Sequence, residues 1–294
     1  MDADLAYRWV IFARRLTCLN FEGGMNLQTI LAIDPAWTTK EPSGVALITG
    51  KENSWECLAL APSYAAFFEL VGGRKVDWRN GSHRGAQPEP GRLLEVAKEL
   101  SPTGKVDLVT IDMPLALRPF SSRREADNAV SREYGGRKCS THTPNEHRPG
   151  ALSQIFSGSF EKAGYPLATT MTVSASYPAL LEVYPHPALL HLMEEKERLC
   201  YKIGKTKTYW PAKSVDERRS SLCHVLAKIT ESLALSIANI PMVIPAPQDI
   251  ESFAALKPYE DALDALVSAW VGICYLNGQA RAFGDQDSAI WIPT

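Results

Sequence analysis

The chain has 294 residues, 45% of them hydrophobic and 22% charged, with a formal net charge of -2 at pH 7. That length supports a large apolar core, while the near-neutral charge excludes a globally basic polyanion binder and leaves nucleic-acid contact to local patches. Six cysteines without CxxC spacing argue against a disulfide framework and point to reduced thiols in a cytoplasmic protein, and no run reaches the ~18 apolar residues of a membrane span.

Residues 1–24 hold a short apolar patch broken by Arg14 and Arg15, without a small-residue cleavage site. They read as an extension, with an amphipathic or non-native start, ahead of a single domain over 25–294 that opens at Met25. Residues 28–62 then read as three strands, TILAID, SGVALIT and SWECLALA, joined by Pro/Gly/Ser turns and a KENS hairpin link into an antiparallel meander. YAAFFELVGG reads as a helix stopped by Gly72 and Gly73, and RLLEVAKEL as a short amphipathic helix. KVDLVTIDMP is a mostly apolar strand of the parallel, doubly buried kind.

From Ser121, SSRREADNAVSREYGG reads as a helix with a serine cap and a glycine stop, followed by the polar loop RKCSTHTPNEHRPG. ALSQIFSGSFEKAGYP is helical in pattern, and a fifth strand runs through Val183 and Tyr184 to a turn at Pro185 and a further helix. After the basic, aromatic YKIGKTKTYWPAK come two long helical patterns, VDERRSSLCHVLAKITESLAL and PYEDALDALVSAWVGICYLNG, and SAIWIP reads as a short edge strand. In the last helix Leu263, Leu266, Val267 and Trp270 mark the expected packing side. The order predicts an α/β fold with a mixed five-stranded sheet, an antiparallel three-strand meander followed by helix-linked parallel strands, flanked by helices.

The acids carry the chemistry. Asp34 and Asp112 each end an apolar strand, where a carboxylate aimed into a turn suits a hard cation such as Mg²⁺. Asp34 before Pro35 reads equally as a turn former. Asp261 and Asp264 are three apart on one helix, about 5–6 Å between Cβ atoms; Asp261, close after Pro258, divides between helix cap and ligand. The loop supplies His142, Asn145 and Arg148 for phosphate contact or proton transfer, and Arg118, Arg123 and Arg124 extend its positive potential. Cys139, His142 and His147 lack the second ligand pair of a zinc site. Lys202, among Tyr201, Tyr209 and Trp210, suits a nucleic-acid backbone flanked by stacking rings.

AIDPAW with SGVAL, IDMPLA, RREADNAVSREYG with STHTPN and RPG, LEVYPH, and DALDALVSAW with AIWIP together resemble the RNase H-like superfamily. Within it they are most like a group of predicted nucleases catalogued as a domain of unknown function. The resemblance covers nearly everything from about residue 28 onward. It implies neighbouring first and fourth strands, Asp34 as a bridging ligand, Asp112 as a second and Asp264, with Asp261, as the helical acid. It implies Mg²⁺ or Mn²⁺ as cofactor and phosphodiester hydrolysis of DNA or RNA. Glu182 is a fourth acid, departing from the glutamate such enzymes draw from the first helix, where this chain offers Glu69. Two other readings stay open: a non-catalytic nucleic-acid or nucleotide-binding module, and a sugar-kinase-like phosphotransferase, for which TTKEPSG provides only one glycine.

Overall fold

The computed structural model describes residues 27–79, 83–120 and 122–294. The extension over 1–24, the opening at Met25 and the Ser121 cap lie outside the described residues. The expected meander is present as β1 (Gln28–Asp34), β2 (Gly44–Lys51) and β3 (Ser54–Ala61), antiparallel throughout. Glu52 opens the two-residue turn between β2 and β3 with a φ of 49°. β4 (Leu108–Ile111) and β5 (Ala179–Val183) follow in parallel pairing, β4 beside β1 and β5 beside β4.

The sheet is larger than the sequence pattern predicts, with eight strands rather than five. β6 (Ile237–Ala238), β7 (Ala280–Gly284) and β8 (Ala289–Pro293) complete the order β6-β3-β2-β1-β4-β5-β8-β7. SAIWIP is therefore not an edge: β8 pairs with β5 in parallel and with β7 antiparallel. β6 spans only two residues and β7 is a short ARAFG run, too brief for a period-2 signal to rise above its surroundings.

Among the described residues the helices are α1 (Tyr64–Glu69), α2 (Pro90–Leu100), α3 (Glu125–Tyr134), α4 (Ala151–Lys162), α5 (Pro185–Leu192), α6 (Thr206–Tyr209), α7 (Val215–Ala234) and α8 (Lys257–Leu276). α3 begins later than the sequence predicts. Its N-cap is Arg124, whose backbone N–H donates to Asp127 Oδ2 at 3.0 Å. None of these helices is long and apolar enough to cross a membrane.

Alternation along the strands splits the core into two layers. Ile30 and Ala32 of β1, with Leu108 of β4 and Leu181 of β5, pack against α5, α7 and α8. Leu31 and Ile33, with Val109, Ile111 and Leu180, pack against α1, α2 and α4 on the opposite face. α8 is buried nearly all round rather than along one stripe, and Trp270, expected to pack, is only partly buried. A helix covered on all sides is a core element. Two glycines admit its close approach. A Cβ on Gly44 would lie 2.0 Å from the Asp261 carbonyl oxygen, and one on Gly272 would lie 3.0 Å from the Ile30 side chain.

Candidate active site

The strand alternation that buries Ile30 and Ala32 under α8 turns Asp34 to the same face, and in β4 it does so for Asp112. The strands are in register, Ile33 opposite Ile111, and the Asp112 N–H donates to the Ile33 carbonyl at 3.0 Å. The two acids thus leave the carboxyl ends of adjacent parallel strands side by side. Across from them α8 presents Asp261 and Asp264, exposed by only 3% and 0%.

Asp264 is fully engaged. Its Oδ1 accepts from the Tyr201 hydroxyl at 2.7 Å, and its Oδ2 pairs with the Lys202 ammonium. The neighbouring acid Glu260 accepts the Ile203 N–H at 2.6 Å and lies 3.6 Å from Lys202 Nζ. Lys257, one helical turn before Asp261, pairs with its Oδ1 at 2.6 Å and with Glu260 at 2.9 Å. Asp261 Oδ2 is buried without a hydrogen-bond partner among the described residues. Asp34 and Asp112, both half-buried, carry no hydrogen bond or ion pair on their carboxylates among the described residues.

The electrostatics follow. Burial raises the Asp34 carboxyl well above its usual range, and the charges of Asp264 and Asp112 add to it. Asp112 is pushed up to about 8 by burial and by Asp264, with Lys202 opposing. Burial lifts Asp261 to about 7 in spite of Lys257. Burial works against a charged Lys202, but Asp264, Tyr201 and Glu260 outweigh it and raise its affinity for the proton well above the ordinary lysine value. Acids held this high bind protons unless a nearby positive charge favours their ionised form.

A cavity of about 380 Å³ opens beside Asp34 and Asp261, lined also by Trp37, His142, Arg148 and Lys202, while Asp112 lines a smaller neighbouring one with Trp37, His142 and Tyr184. Arg148 lies over the Trp37 ring at 5.4 Å. Burial and the charges of Lys205, Arg198 and Arg148 lower the His142 pKa, which favours a neutral imidazole. The lining thus combines Asp34, Glu41 and Asp261 with Lys202, Lys257 and Arg148 and the Trp37 ring.

The remaining expected residues have other posts. Arg123 braces the His142 loop, donating to Asn128 Oδ1 at 2.8 Å and to Thr141 and Thr143. Asn145 accepts from the N–H groups of His147 and Arg148 and holds the turn between them. Arg118 is exposed, 3.4 Å from Asp287, beside a different cavity. Arg124 is buried, forked onto Glu182 and Asp127, so its guanidinium is spoken for. Glu182 aligns with Ile111 and falls on the face away from α8, where it accepts from Arg124 and from the Leu115 N–H at 2.7 Å. Glu69 is exposed and pairs with Arg74.

Tyr201 and Lys202, expected to stack on bases and meet a nucleic-acid backbone, are instead engaged with Asp264, the Tyr201 ring being buried, and sequence reasoning missed Glu260, Lys257 and Trp37. The spacing of Lys257, Glu260 and Asp261 on one helix was a usable signal; the packing of Tyr201 and Lys202 on α8 is long-range and left none.

Among the described residues no three histidine, cysteine, aspartate or glutamate side chains come together in a group that could hold a metal ion. The donor set still fits a hard cation of the Mg²⁺ kind, which commonly takes one or two carboxylates and completes its shell with waters and substrate phosphate. Among the described residues Asp34 and Asp112 supply two carboxylates free of protein donors.

The chain belongs to the family described as "Protein of unknown function (DUF429)", whose model matches residues 50–289. Asp112, Lys202 and Asp264 fall within the matched segment and Asp34 precedes it. No curated protein and no solved structure matches the chain.

Proposed function

We infer that this DUF429 member is a divalent-metal-dependent phosphodiesterase acting on DNA or RNA, built on an RNase H-like sheet. The observation that carries the reading is the pair Asp34 and Asp112, side by side at the ends of adjacent parallel strands and facing a buried acidic helix, with Asp34 lining a cavity that Arg148 also lines. Asp34 and Asp112 would hold Mg²⁺ or Mn²⁺. Bound there, the ion supplies Lewis-acid polarisation of the phosphate and lowers the pKa of a water. Arg148 offers a fork for phosphate oxygens, Trp37 a surface on which a base stacks, and His142, neutral near pH 7, a proton acceptor at the cavity mouth. The five described cysteines, all free, are in keeping with the cytoplasmic location we assign.

Labelled single-stranded, duplex and branched DNA and RNA, each offered with Mg²⁺ and with Mn²⁺, provide the test. Cleavage by the natural protein and a loss of at least about a hundredfold in Asp34→Asn and Asp112→Asn is the expected result, on the scale of removing one preorganised charge-stabilising group. The neutralisation of Asp264 by Lys202 favours a second reading, a module that binds nucleic acid without cutting it. Binding of the same substrates with no cleavage under either ion would establish that reading instead.

A further inference from the structure

Two-ion centres draw carboxylate oxygens from both sides of the crevice, and here the two sides differ. On the sheet side, Asp34 and Asp112 have no donor on them among the described residues. On the helix side, both oxygens of Asp264 are taken, one by Tyr201 and one by the Lys202 ammonium.

Lys202 is not a surface side chain that happens to reach inward. Its side chain is 24% exposed, and the residues on either side of it are bonded to the same helix, Tyr201 to Asp264 and Ile203 to Glu260. Three successive residues of one segment are thus clamped to α8. The charge of the ammonium reaches Asp34 and Asp112 as well.

Lys202 already supplies Asp264 with a positive charge. A second ion at Asp264 would have to displace the ammonium from its closer carboxylate, leaving it only Glu260 at 3.6 Å, a costly loss for a largely buried charge.

We propose that Lys202 is a built-in replacement for a second metal ion, so that the centre holds one divalent ion, on Asp34 and Asp112, with the lysine as a fixed positive charge beside it. The inference rests on the metal-dependent reading above and specifies it: the phosphate would meet one exchangeable cation and one that is part of the chain. A lysine in that position lets the centre load at one ion's affinity instead of requiring two to assemble.

The test is the stoichiometry of Mn²⁺ binding to the intact chain, by calorimetry and by electron paramagnetic resonance, with no substrate present. The natural protein is expected to bind one Mn²⁺ per chain with the spectrum of an isolated ion. Lys202→Met, which keeps the length and removes the charge, is expected to bind two, with the broadened spectrum of a coupled pair, while Lys202→Arg stays at one. Two ions in the natural protein overturn the proposal and leave the metal reading intact, a result that needs no variant to fold. One ion in a folded Lys202→Met also overturns it. No Mn²⁺ in any of the three proteins overturns the proposal and the metal reading together.

Discussion

His186 is buried on α5, and its Nε2 accepts from the Arg198 guanidinium, which has only hydrogens to offer, so the ring is neutral. Its Nδ1 has no hydrogen-bond partner among the described residues. Burial, then Lys202 and Arg198, lower its pKa well below 6.5. In the unfolded chain the same ring protonates as pH falls through about 6.5. The unfolded state then binds the extra proton, so His186 costs stability below that pH and nothing above it. Asp112 works in the opposite direction, because its raised pKa makes the folded state the better proton binder between the ordinary aspartate value and about 8. Comparison with a variant separates the two. His186→Gln should lose less stability than the natural protein between pH 6.5 and 5.5, by about 1 kcal/mol, read from urea denaturation at the two pH values; equal losses would mean that the ring charges freely in the folded state.

At the scale of elements, the acids were legible where a local rule fixes them. Asp34 and Asp112 end apolar runs whose alternation puts both on the α8 side. Glu182 ends a similar run, but the register that pairs it with Ile111 turns it to the other face, and register is a property of two strands rather than one. Arg124 was legible as a helix-start arginine and not as a buried fork, since its partner Glu182 is 58 residues away. The approach of α8 depends on Gly44, directly opposite Asp34 in the β1–β2 pairing. A methyl there would meet the Asp261 backbone, which has no flexible end to yield. Gly44→Ala should therefore lower stability by about 3 kcal/mol, at the upper end for overpacking, and weaken Mn²⁺ binding by moving α8 off the acids. Unchanged urea midpoint and Mn²⁺ affinity would show that the contact is not what sets the spacing.

At the scale of the molecule, the acids lie where an open sheet reverses its direction of growth. From β1 the chain builds outward through β2 and β3, and from β4 outward through β5 on the other side. The crevice beyond the carboxyl ends of strands at such a point is where ligands bind in folds of this kind. The meander and the helix-linked strands were readable because each is a run long enough to show its period. The outer strands were not: β6 exists only by pairing with β3, and β7 only by pairing with β8.

The two sides of the crevice are also held by different bonds, with a consequence for their motion. The Asp112 amide is locked into the central ladder, bonded to Ile33, whereas the Ile203 amide hangs on the carboxylate of Glu260. Ladder amides in a core sheet exchange with solvent through unfolding of the whole domain, while an amide held by a side chain escapes through a small local opening. In hydrogen exchange the Asp112 amide should therefore track global stability, and the Ile203 amide should exchange faster and accelerate further in Lys202→Met. Equal protection at both positions would mean that the lysine-bearing segment moves only with the sheet. The acids on the strands and the lysine beside them would otherwise keep separate time, one half of the centre permanent and the other able to let go.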